Sequence, residues 1–371
     1  MAIAAGTSTP VDKWRVRPEG AFMALESKPT LHDVGALAGV AARTVSRVIN
    51  REAGVSQRTV EKVQWAIKEL NFRPNLAARA LRSDRSLLVA IVNSNSWPRY
   101  VADVVRGVSM ACRQAGVYLT FEEFSPDDQN ISESVAGLLD NVGVAGTILI
   151  PPLADDLDLL DQLERRGVRT VRMSPAIDIG RTDAVVSRDE DGICALVDHL
   201  VGLGHRKFGY ISGADSHASS QTRLNAFRKR LLHHGIDWRS VRLDKGDYGY
   251  VSGAVAARRI LSAGREGWPT AICAANDEMA AGVIGVLGTM GIAVPQEIAV
   301  SGFDDNDIAR LIWPPLTTVR QSIVDQAVSA TQLLLDRSSG PPRCIEHPVT
   351  LIIRRSTSPD ESAGGDGLVS D

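Results

Sequence analysis

Between Thr30 and Leu81 the apolar positions recur at helical spacing in three short bursts, with almost no spacer between them. The first burst follows Thr30-Leu31-His32-Asp33, a Ser/Thr-x-x-Asp/Glu capping box. Val34, Leu37 and Ala38 then share one helix face. Gly39 allows the positive φ of a tight turn, and Val40 fills it. A second helix is predicted from about Ala41 to Asn50, with Val45, Val48 and Ile49 turned inward. Ser56 suits the N-cap of a third helix, whose Val60, Val63, Ile67 and Leu70 face the same small core, and Pro74 ends it. That order is a helix-turn-helix with a supporting third helix. Asn75 can cap a further alanine-rich stretch to Arg82, shorter than the roughly 12 residues an isolated helix needs in water.

Beyond Arg85 the period changes. Short apolar or β-branched runs at 87–92, 117–121, 147–151 and 168–173 read as strands, with amphipathic helices at 100–116 and 131–142 between them. A second series of strands follows at 207–213, 270–277 and 298–305. Alternation of this kind predicts parallel sheets with helices on both faces. Two series predict two Rossmann-like lobes with a cleft between them, where ligands sit beyond the carboxyl ends of the strands.

Composition adds bounds. The chain has 371 residues, of which 44% are hydrophobic, and a mean hydropathy of -0.04, which suits a soluble protein of two or three domains. No run approaches the roughly 18 apolar residues of a membrane span. Residues 1–28 lack the apolar core of a secretory leader and read as a disordered extension, with Met23 a second candidate start. Cys112, Cys194, Cys273 and Cys344 are widely spaced and read as reduced thiols of a cytoplasmic protein. The Ser-, Gly- and Asp-rich tail at 357–371 reads as disordered and lacks the leucine heptads of a tetramerising coiled coil.

Charge changes the picture further. Residues 29–85 carry 10 Lys+Arg against 5 Asp+Glu, a net +5, while the whole chain is -3. A basic head on an acidic body is the asymmetry expected of nucleic-acid binding. Arg43 and Arg47 stand four apart on the second helix, a like-charge spacing that costs a few tenths of a kcal/mol unless a partner supplies negative charge. DNA supplies phosphates and guanine edges. Catalytic signals are absent by comparison. His199 and His205 have no carboxylate at zinc-ligand spacing, and Gly202-x-Gly204 follows a helix and precedes a strand, the reverse of a dinucleotide loop. No G-x-S-x-G or P-loop occurs, so no catalytic residue, metal or cofactor is assigned.

The runs TLHDVGALAGVAARTVSRVIN and GVSQRTVEKVQWAIKELNFRPN resemble the headpiece of the lactose-repressor (LacI/GalR) family of bacterial transcription regulators. The segments DHLVGLGHRKFGYISG, SSQTRLNAF, AANDEMAAG and VSGFDDNDIARLIWPPLTTVRQ resemble the same family's periplasmic-binding-protein-like core. The resemblance covers residues 29–356. It implies an all-α helix-turn-helix headpiece (29–74) and a hinge helix with linker (75–85), joined to a two-lobed α/β effector-binding and dimerisation core (86–356). It implies a homodimer on a near-palindromic operator of double-stranded DNA, with helices of the first lobe forming much of the dimer contact, and a small-molecule effector that controls operator affinity. Base reading falls to Ala42, Arg43 and Arg47. Thr44, Ser46 and Asn50 lie nearer the phosphates, Leu81 wedges into the minor groove, and Arg79 joins the DNA-facing set. The family usually has serine where this chain has Ala41, and losing such a cap costs about 1 kcal/mol. Ala42 is too short to donate a hydrogen bond, so Arg43 and Arg47 carry most of the direct readout.

In the core the resemblance places Arg223, Asn276 and Asp304 in the cleft, Tyr248 in the position that stacks on a ligand, and Gln321, His217 and Ser219 nearby. Asn276 also suits the N-cap of the following helix. Many relatives read P-D-x-x-N-P-F-F where this chain has NSNSWPRY at 93–100. Trp97 and Tyr100 offer stacking surface there, whereas Arg99 replaces an aromatic and Arg188 an acid. Three arginines (99, 188 and 223) pointing into the cleft would suit an anionic sugar derivative. Salt bridges of Arg99 and Arg188 with acids such as Asp103 or Asp189 are the alternative. A transport-type binding protein or solute sensor shares the core fold, but it calls for an export signal and no DNA-binding head.

Overall fold

The computed structural model describes residues 29–49, 54–72, 86–94, 98–125, 128–215 and 217–358. They fall into two compact units that divide between Arg85 and Ser86.

The first unit has helices α1 (Leu31–Ala38), α2 (Ala42–Ile49) and α3 (Gln57–Glu69). The capping box opens α1: Thr30 N–H donates to Asp33 Oδ2 at 2.7 Å, and Asp33 N–H donates to Thr30 Oγ1 at 3.4 Å. Gly39 closes α1 with φ 68°, and Val40 N–H returns to Gly35 O at 2.9 Å. Ser56 caps α3 by accepting from Thr59 N–H. Val34, Val45 and Val63 are fully buried, with Ala38, Val48, Ala66 and Phe72 around them. Each such valine contributes roughly 1.5–3 kcal/mol.

Two expectations are corrected. Leu37 is 40% exposed, because the inward stripe runs through Leu31, Val34, Gly35 and Ala38 at i, i+3, i+4 and i+7. Pro74 does not end α3. The helix stops at Glu69, and Asn71 takes φ 45°.

The second unit holds two parallel sheets. In its first lobe β1 (Leu88–Asn93), β2 (Tyr118–Glu123), β3 (Gly146–Leu149), β4 (Thr170–Met173), β5 (Asp183–Ser187) and β11 (Cys344–His347) stand in the order β11-β5-β4-β3-β1-β2. Helices α4 (Pro98–Ala115) and α12 (Ile323–Leu335) cover one face, where Val104, Val108, Ala327 and Leu334 meet Val89, Ile91, Ile148 and Val171. Helices α5 (Ile131–Val142) and α6 (Leu157–Arg165) cover the other, where Leu139 and Leu160 meet Ala90, Val92 and Leu149. Burial on both faces explains the near-continuous apolar runs of the central strands. Gly107 lets α4 approach α12, since a Cβ there would collide with the Val324 carbonyl.

The second lobe has β6 (Phe208–Ser212), β7 (Arg242–Lys245), β8 (Ala271–Ala274) and β9 (Ala299–Ser301) in the order β7-β6-β8-β9. Around them lie α7 (Asp189–Gly202), α8 (Ala218–His233), α9 (Tyr250–Ile260), α10 (Asp277–Thr289) and the short α11 (Ile308–Leu311). An antiparallel pair, β10 (Thr318–Gln321) with β12 (Val349–Ile352), completes it. β5, β7, β10, β11 and β12 were absent from the strands expected from sequence. The chain crosses between lobes three times, after Ser187, Gln321 and His347, so neither lobe is continuous in sequence. No helix among the described residues is long and apolar enough to cross a membrane.

Candidate functional site

On the head, α2 presents Arg43 exposed, with Ala42, Thr44, Ser46 and Arg47 half-buried. Ala41 carries no side-chain oxygen, so only its carbonyl serves the helix start, accepting from Thr44 and Val45 N–H at 2.8 and 3.2 Å. The Arg47 guanidinium lies close to Gly54, at the head of the loop into α3. Asn50, Arg79 and Leu81 lie outside the described residues, as does Trp97 in the core.

The core contains a cavity of about 460 Å³ at the carboxyl ends of the strands of both lobes. Arg99 and Tyr100, from the start of α4, line it together with Ser174 after β4. From the second lobe come His217, Ser219, Arg223, Tyr248, Asn276 and Asp304, with Gln321 at a crossing. Every effector residue expected from sequence is therefore on the wall except one.

That exception is Arg188. It stands at the N-cap position of α7, and its guanidinium turns back on the first turn to meet Asp191 at 2.9 Å. The other two arginines are engaged as well. Arg99 pairs with Asp103 at 3.3 Å and with Asp307 at 2.6 Å. Arg223 is almost fully buried, and its Nε donates to Asp189 at 2.7 Å while Nη1 donates to Ala275 O at 2.7 Å. Of the three arginines expected to point into the cleft, Arg99 and Arg223 line it and Arg188 does not. The alternative salt bridge forms for Arg99 with Asp103, whereas Arg188 meets Asp191 and Asp189 pairs with Arg223.

Asp304 is the most perturbed acid on the wall. Gln321 Nε2 donates to its Oδ1 at 2.6 Å, and Arg223 Nη1 lies 3.7 Å away. Burial nevertheless pushes its carboxyl up to about 7, against the opposing pull of Arg223 and Gln321. The neighbouring Asp277 is also raised, by burial and then by the charge of Asp304, although it accepts from Thr318 Oγ1 and Asn306 N–H. Asp305 beside them is held by Arg310, Arg320 and Arg354.

Asn276 lines the cavity and is the N-cap of α10. Its Oδ1 caps α10 by accepting from Met279 N–H at 3.0 Å, and its Nδ2 donates to Tyr248 O and to Glu278, each at 2.8 Å. Tyr248 is only 4% exposed. Its ring stands edge-on to His217, and its hydroxyl meets Ser219 Oγ at 3.3 Å. The ring therefore offers an edge and little open face for stacking.

Sequence reasoning missed Arg106, Ser174, Glu278, Arg310 and Arg320 as wall residues. Arg106 was recoverable, because Arg99, Asp103 and Arg106 recur at i, i+4 and i+7 along one helix face. Among the described residues no group of three His, Cys, Asp or Glu side chains could hold a metal ion.

Comparisons with known proteins agree with this layout. Residues 30–75 match the family described as bacterial regulatory proteins, lacI family, and residues 197–357 match a periplasmic binding protein-like domain. The chain is 33% identical over 334 residues to the HTH-type transcriptional regulator CelR of Thermobifida fusca, covering 88% of this chain and 96% of that one. A solved lac repressor dimer bound to operator and the anti-inducer ONPF is similar with a TM-score of 0.72 and 30% identity, over 89% of this chain and 99% of that one. A CelR–cellobiose complex is similar with a TM-score of 0.67 and 30% identity, over 88% and 99%.

Proposed function

The chain belongs to the lacI family of bacterial regulatory proteins, DNA-binding regulators of transcription, and from that premise we propose how its residues divide the work. As a homodimer in the cytoplasm it represses by gripping a near-palindromic operator, with Arg43 and Arg47 of α2 reading base edges. Thr44 and Ser46 steady the helix on phosphates. The cavity of the core takes a neutral, hydroxyl-rich solute of sugar type, and no reaction is assigned to it. One observation carries this choice: the acid-and-amide wall of Asp304, Gln321 and Asn276 sits beside Arg99 and Arg223, which acids already occupy, leaving Arg106 on the wall without an acidic partner among the described residues. Carboxylate and amide groups suit hydroxyls, which both donate and accept.

Control follows by linkage. A solute that fits one arrangement of the two lobes better than another shifts their populations, and operator affinity shifts with them. The cellobiose held by CelR makes that disaccharide the first probe.

The test begins with selection of genomic fragments by the purified protein at two salt concentrations. A near-palindrome whose affinity falls steeply with salt is expected. Arg43→Ala and Arg47→Ala should each relax preference at their own base positions by about 1–3 kcal/mol. Cellobiose should change the affinity of the wild type for the selected site. Uniform weakening across all sequences would remove the base-reading roles.

A further inference from the structure

β4 alternates as a strand should: Val171 and Met173 point to the α4–α12 face, and Arg172 points to the other. That other face is an apolar layer that includes Leu139, Leu149 and Leu163, and Arg172 is 0% exposed. A guanidinium buried this way is costly unless its donors are satisfied. Arg172 directs most of them at one loop. Nε donates to Thr182 Oγ1 at 3.0 Å, Nη1 to Ile177 O at 2.9 Å and Ala154 O at 3.1 Å, and Nη2 to Asp178 O.

The acid paired with it, Asp155, stands 4.0 Å away. Asp155 Oδ1 instead accepts from Ala176 N–H at 2.9 Å and Ile177 N–H at 3.2 Å. The two charges are thus joined through the loop's own backbone, the arginine holding carbonyls and the aspartate holding amides. The loop's outer residues are exposed, Ile177 and Ile179 among them. It begins at Ser174, a non-glycine residue at φ 50° that lines the cavity.

We infer that Arg172 is a positioning residue for solute recognition: it anchors the loop at 174–182 from beneath, so that Ser174 and the first-lobe wall are in place before a solute arrives. This rests on reading the cavity as the effector site. A flexible apolar side chain would fill the same layer without the desolvation cost, so what arginine adds is the planar fork that fixes three carbonyls at once.

The full-length wild type, Arg172→Met and Arg172→Lys are compared by amide hydrogen exchange and by calorimetric titration with cellobiose, glucose, sucrose and ribose in turn. In Arg172→Met the amides of Ala176 and Ile177 should exchange about tenfold faster, while those of β3 and β4 keep their protection. Any of the four sugars that binds the wild type should bind at least about tenfold more weakly. Arg172→Lys keeps the charge without the fork and should recover only part of either effect. If Arg172→Met fails to fold, Arg172→Lys carries the same comparison. Wild-type exchange at Ala176 and Ile177 overturns the anchor. Fast exchange with unchanged sugar affinity overturns the positioning role. If none of the four sugars binds the wild type, the solute assignment and the recognition role fall together, while the exchange rates still decide the anchor.

Discussion

Asp304 carries a consequence that can be read as a titration. Its carboxyl titrates near 7, chiefly through burial, and Asp277 is displaced in the same direction. A carboxyl whose folded pKa lies above its unfolded value keeps, in the native state, a proton that the unfolded chain has released. Stability is therefore lost as pH rises through the window from about 4 to about 7. Three units would set an upper limit of about 4 kcal/mol, and solvent in the cavity lowers it, since the Asp304 side chain is still 28% exposed. Asp304→Asn should flatten that decline when urea unfolding is followed between about pH 4.5 and 7.5. A decline as steep as in the wild type would place the titration on another group. At this scale sequence reasoning reached Asn276 and Asp304, which follow strands, and Arg223, inside α8, because all three sit in recognisable segments. It could not reach Arg172, whose single letter in VRTVRM gives no sign of burial, or Glu278 and Arg320, which look like ordinary surface charges until the topology turns them onto one wall.

Among the elements, the turn between α1 and α2 is the most demanding. A Cβ on Gly35 would stand 2.7 Å from the Val40 carbonyl, whereas one on Gly39 would meet nothing within 4 Å. Gly35→Ala should destabilise the head by roughly 1–3 kcal/mol through overpacking, read as loss of operator binding with the core's melting transition unchanged. A full-affinity Gly35→Ala would mean that the helices can separate at no cost. The helices of the head were legible because caps and period agreed, and Leu37 misled only because the stripe is one position out of register with it. Two of the five strands that escaped have a different cause. β7 reads RLDK and β11 reads CIEH, each at the edge of a sheet with polar residues facing solvent, so neither shows the apolar run that marks β1 or β3.

For the whole molecule, exposed apolar side chains bear on how two copies meet. Tyr250, Val251 and Val255 on α9, with Leu311 and Trp313 at and after α11, are large apolar side chains left exposed on the second lobe. Exposed apolar side chains of this size suit a contact with a second copy, so the dimer contact expected from first-lobe helices is predicted to reach the second lobe as well. Val251 is 73% exposed, so Val251→Glu should leave the fold intact while shifting sedimentation toward monomer and weakening operator binding. An undisturbed dimer would return the contact to the first lobe. The three crossings between lobes have a further consequence, in the order in which a ribosome delivers the chain. The three helices of the head end at Glu69. The first-lobe sheet lacks α12 over one face until residue 335 and its last strand until 347. β9 gains the Ser356 backbone and hydroxyl bonds to Val300 later still. The nascent chain thus carries the three helices of the head well before a finished core, with the Val89–Ile91 face of the first lobe covered by α4 alone in the interval, a half-covered surface for chaperones to shield until α12 emerges.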